Sequence, residues 1–116
     1  MTAENVPDVA VVALSTAPDS GQADRIARIL VEERLAACVS RVPGVRSLFR
    51  WEGAIESAEE ILLLIKTHAR KAPELTRRLA EIHPYDVPEI LILPVAAGLG
   101  GYLDWLRRET ATDEGA

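Results

Sequence analysis

Apolar positions along the chain recur with two different periods. Between Asp8 and Thr16 the run VAVVAL is almost unbroken, the pattern of a strand buried on both faces. APDSG over 17–21 then supplies turn and cap chemistry, with Asp19 and Ser20 able to accept hydrogen bonds from the free N–H groups that open a helix. Behind it Ala23, Ile26, Ala27, Leu30, Val31 and Leu35 fall three and four apart. That spacing predicts an amphipathic helix, with Arg25, Arg28, Glu32 and Arg34 on its remaining sides.

From Cys38 the period changes to that of strands. CVSRVPGVRSLFRW predicts one long strand bent or bulged at Pro43-Gly44, Glu52-Gly53 a tight turn, and AIESAEEILLLIKT the hairpin partner. ILLLI by itself is compatible with a strand or a buried helix. Pro73 and Glu74 suit a helix start, Leu75, Leu79 and Ile82 make its stripe, and His83-Pro84 ends it. HPYDVP leads into EILILPV, a fourth strand, and GLGG over 98–101 opens a third helix with Leu99, Tyr102, Leu103 and Leu106 on one face. A single domain over 8–110 is expected, with flexible termini at 1–7 and 111–116.

The order β-α-β-β-α-β with an added C-terminal helix is the pattern of an α+β, ferredoxin-like split βαβ sandwich. Two helices cover one face of a four-stranded sheet, yet VAVVAL, ILLLI and ILIL are apolar at successive positions, so both faces call for burial. The short third helix hides part of the open face. The remainder is an apolar patch of the kind that contacts another chain, so a homo-oligomer is expected, with the long hairpin offering edges for pairing.

Composition narrows the function classes. The chain's 116 residues and 12.6 kDa fit one domain, and 48% hydrophobic with 27% charged residues is ordinary globular composition. Thirteen Lys+Arg against eighteen Asp+Glu leave a net charge of −5, which argues against a nucleic-acid partner. MTAENVPD reads as no signal peptide, and the apolar runs fall far short of the roughly 20 residues of a membrane span. The expectation is a cytoplasmic protein with no membrane partner. A lone Cys38 excludes an internal disulfide framework and a cysteine-based zinc cluster.

Six segments in order, STAPD (15–19), ERLAACV (33–39), PGVRSLFRWEG (43–53), EEILLLIKT (59–67), HPYDVPEI (83–90) and YLDWL (102–106), resemble the CutA divalent-cation tolerance family from about Val9 to Arg108. The resemblance implies a ferredoxin-like homotrimer of the cytoplasm, linked to tolerance of copper and other divalent metals, with no established catalytic reaction and no required cofactor. It also implies a trimeric plan shared with the nitrogen-regulatory PII signalling proteins, an analogy of fold and not of site. Lys66, Tyr85 and Glu89 fall, by the same resemblance, near a cleft between subunits. Copper-binding members carry a cysteine at the position of Ser15 and histidines at those of Ile82 and His83; here His83 alone matches.

Each candidate residue has two readings. His83 is either a copper ligand or a helix-terminating histidine whose ring bonds a nearby carbonyl. Cys38 is either a soft ligand for reduced copper or a small buried apolar residue. His68 reads as an exposed polar residue. Glu60 and Lys66 bracket ILLLI on one side of the strand but sit roughly 20 Å apart at about 3.3 Å per residue, so each needs another partner, and Lys66 with Glu89 is the plausible pair. That pair could be structural, sealing a trimer, or part of a ligand site. Trp51 and Trp105 suit interfaces. GLGG lacks the context of a phosphate loop. The leading expectation is a metal-binding response trimer. Its alternatives are a small-molecule sensor trimer binding an anionic ligand through Lys66 and an arginine, an enzyme using Lys66, Tyr85 and Glu89 as acid and base, and a scaffold for a partner.

Overall fold

A computed structural model describes residues 7–111. The expected flexible termini therefore lie outside the described residues, apart from Pro7 and Ala111. The elements follow in the order β1 (Ala10–Ala17), α1 (Ser20–Glu32), β2 (Cys38–Trp51), β3 (Ala54–His68), a 3-10 turn (Ala69–Lys71), α2 (Ala72–Ile82), β4 (Leu91–Pro94) and α3 (Gly100–Glu109). The sheet is antiparallel throughout in the order β2-β3-β1-β4, so β3 splits the β1-α1-β2 unit and β1 splits β3-α2-β4.

Local chemistry explains the boundaries. The Asp19 carboxylate accepts from the Gln22 N–H at 2.8 Å and caps α1. The helix ends at Glu32, before the apolar stripe does, because Arg34 turns left-handed (φ 60°) and the N–H groups of Leu35 and Ala36 both return to the Leu30 carbonyl. Leu35 is nonetheless buried in the core. Glu52 (φ 48°) and Gly53 (φ 81°) are both left-handed, the signature of a two-residue hairpin turn. The β2–β3 register shifts between Val42 and Val45, around Gly44 at φ 76°, so Pro43-Gly44 forms the expected bulge.

Two departures from the sequence pattern have simple causes. β4 keeps four residues rather than the seven of EILILPV: Pro88 lies ahead of it and Pro94, its last residue, has no N–H to give to a ladder. The 3-10 turn after β3 is held by His68, whose Nδ1 accepts from the Arg70 N–H at 3.1 Å.

Alternation along the strands divides the sheet into two faces. Ala13 and Ala17 of β1 with Leu63 and Ile65 of β3 face α1 and α2, where Ile26, Leu30, Leu75 and Leu79 close the core. The other face carries Val12 and Leu14 of β1, Leu62 and Leu64 of β3, Val42 of β2, and Leu91 and Leu93 of β4. Leu91 and Leu93 remain 54% and 46% exposed. Beyond the bulge this face runs out along the hairpin arm through Val45, Phe49 and Trp51. At the other end α3 packs down with Leu106 buried.

Candidate functional site

The open face of the sheet carries a polar group at each end, separated by leucines. At one end β2 and β3 set Cys38 directly opposite Lys66. The Lys66 ammonium donates to Ser40 Oγ and lies 3.8 Å from Cys38 Sγ. From α3 the Tyr102 hydroxyl faces the same thiol, and burial, reinforced by Cys38, pushes the phenol above its ordinary value.

At the other end the segment after α2 folds back across β1. The Tyr85 N–H donates to His83 Nδ1 at 3.1 Å, which leaves the proton on Nε2, and Nε2 donates to the Thr16 carbonyl at 2.8 Å. His83 is buried with both ring nitrogens engaged. The Tyr85 ring leans against it, tilted by 45° with centroids 4.9 Å apart, and the Tyr85 hydroxyl donates to Glu60 Oε2 at 2.8 Å. Burial, with the Glu60 carboxylate as acceptor, pushes the Tyr85 phenol up to about 12.

The residues singled out in the sequence are thus regrouped. Lys66, Tyr85 and Glu89 do not meet in one chain: Lys66 joins Cys38, Tyr85 joins Glu60, and Glu89 is exposed with no carboxylate-to-ammonium contact to Lys66. The physical reason is the register, which places Lys66 against Cys38 and Val12 and leaves Glu60 beyond the end of β1. His68, expected to be exposed, is buried and donates from Nε2 to Asp8 at 2.8 Å, while Arg107 of α3 holds the same carboxylate at 2.8 Å. This clasp pins α3 to the end of β3. Its signal in the sequence is faint, because Asp8 and His68 are 60 positions apart.

For a metal ion the donor sets within one chain are poor. No group of three or more His, Cys, Asp or Glu side chains converges among the described residues. Ser15 is fully buried with its Oγ unbonded, Ile82 packs against the core, and the lone pair of His83 is taken. His83 and Cys38 sit at opposite ends of the open face.

The comparisons with known proteins identify the lineage. The family model of the CutA1 divalent ion tolerance protein matches residues 11–109. The divalent-cation tolerance protein CutA of Thermus thermophilus is 52% identical over 99 residues, which cover 85% of this chain and 96% of that protein. The chain belongs to the CutA1 family. Human protein CutA is 43% identical over 105 residues, 90% of this chain and 59% of the human one. Among solved structures, CutA from Xylella fastidiosa superposes with a TM-score of 0.86 at 45% identity, covering 88% of this chain and 98% of that one. The CutA1 likeness extends over both ends of the open face, so the groups around Lys66 and His83 lie inside the shared fold.

Proposed function

We propose that the protein is a cytoplasmic, homotrimeric divalent-cation tolerance protein that responds to metal by binding it, not by catalysing a reaction. Membership of the CutA1 family supports the tolerance role. One structural observation supports assembly with further copies, the count of three being what the family resemblance implies: a sheet face with Val12, Leu14, Leu62, Leu64, Leu91 and Leu93 in a row and only α3 over one end. An apolar face of that extent is covered by another chain. The cation is copper or another divalent ion. Its donors come from more than one subunit, since His83 and Cys38 are held apart within a chain, and His83 binds through Nδ1 by giving up the Tyr85 N–H.

The test is a calorimetric titration of the metal-free protein with copper beside His83→Ala and Cys38→Ser. Saturable binding at a fixed number of ions per trimer, lost in either variant, supports a shared site. An unsaturable titration overturns the metal reading and leaves the trimer standing.

A second reading, a small-molecule sensor trimer with sites in the clefts between subunits, is favoured by a specific observation. The half-buried Lys66 has no carboxylate partner among the described residues.

A further inference from the structure

Most cations with a charged neighbour on this chain face a carboxylate: Arg28, Arg41, Arg46, Arg78 and Arg107 each do. Lys66 is different. Its neighbours are Ser40 Oγ and Cys38 Sγ, which both accept from the ammonium, and the Tyr102 hydroxyl faces the same thiol. An ammonium brings three N–H donors and no acceptor; two point at Ser40 and Cys38, which leaves one N–H for a ligand, and the Ser40 and Tyr102 hydroxyls add one donor each. The cluster is therefore rich in donors, carries one positive charge, and sits on a sheet face whose adjacent positions are Val12 and Leu64. Apolar walls lower the effective dielectric and strengthen an ion pair made there. They also leave the ammonium partly stripped of water with no protein charge to replace it.

We propose that Lys66, Ser40, Cys38 and Tyr102 form a binding site for a small oxyanion, a carboxylate or phosphate group of a free ligand. The inference rests on the sensor reading and gives it a ligand class. The ammonium supplies the charge, the Ser40 and Tyr102 hydroxyls the directed hydrogen bonds, and a second subunit laid on the open face the lid. A net charge of −5 disfavours indiscriminate adsorption of anions, so saturable binding reports on a built site.

The experiment titrates the full-length protein with inorganic phosphate and, separately, with acetate, followed by amide chemical shifts, with the oligomer mass measured by light scattering in parallel. Variants are Lys66→Gln, which keeps the stem and removes the charge, and Lys66→Arg, which restores it. The expected result is saturable shifts centred on β2, β3 and α3, weakened at least tenfold in Lys66→Gln, largely recovered in Lys66→Arg, with oligomer mass unchanged. Non-saturable shifts, or equal binding in wild type and Lys66→Gln, overturn the anion site while the assembly stands. Dissociation of the oligomer by Lys66→Gln overturns it differently, by showing that a carboxylate of a second copy is the counter-charge. A wild-type protein that is a monomer in solution defeats the sensor reading itself.

Discussion

The two histidines of this chain are both buried, both neutral by geometry, and both employed as clips. Each accepts a backbone N–H two residues on through Nδ1 and reaches across the fold through Nε2, His83 to the Thr16 carbonyl and His68 to Asp8. His83→Ala leaves the Thr16 carbonyl without its donor, and a loss of about 1–3 kcal/mol is expected in urea unfolding. For His68, burial is the main cause that holds its pKa below the ordinary 6.5, with Asp8 opposing. The folded state then prefers the neutral ring, and the unfolded chain binds more protons between the two values. Stability is full above pH 6.5 and declines as pH falls below it, and His68→Gln is expected to flatten that decline in thermal unfolding from pH 7 to 5. Asp8, held below its ordinary value by Arg107 and His68, adds a further loss at more acid pH in the same direction. Thr67 Oγ1 and Ser15 Oγ are buried without a hydrogen bond among the described residues, so Thr67→Val is expected to raise stability by about 1 kcal/mol. At this scale the sequence showed what depends on neighbours in the chain. The Asp19 cap and the helix end at His83-Pro84 were readable, because caps and proline-flanked helix ends are local, whereas the carbonyl that His83 bonds, Thr16, lies 67 positions away. The Lys66–Glu89 pair was not, because partners across strands depend on register, and the register gave Lys66 to Cys38.

Among the elements, the β2–β3 hairpin was the most legible. Its two-residue turn, its bulge and its alternation are each written in adjacent residues. Gly53 stands at φ 81°, and a Cβ there meets nothing within 4 Å, so the strain of a substitution is in the backbone alone. Gly53→Val is expected to destabilise the hairpin by about 1–2 kcal/mol, read as a lower denaturation midpoint with an unchanged slope. The ambiguity of ILLLI is resolved by pairing on both sides: β3 lies between β2 and β1, which makes Leu63 a fully buried central-strand residue. Charge at that position has nowhere to go, and Leu63→Asp is expected to abolish folding in circular dichroism. The 3-10 turn and the short β4 were hidden for opposite reasons. One depends on a side-chain cap from His68, the other on prolines that cut a run whose letters alone read as seven strand residues.

At the scale of the molecule, one layer is complete and the other is not. α1 and α2 bury one face of the sheet, while the opposite face keeps a leucine row and an exposed aromatic arm with Phe49 and Trp51. The open apolar face was legible in the sequence, since successive apolar positions call for two covered faces and two helices supply one. A number of copies is not written there, because closure depends on the angle at which faces meet. The whole account turns on that face being an interface between three copies. Light scattering on the intact protein tests it most directly, with Leu64→Glu as the companion variant on the open face. The account predicts a mass three times the chain's 12.6 kDa for the wild type and a drop towards one chain, with the fold retained, for the variant. A wild-type mass of one chain, or a variant that keeps the trimer, would contradict it.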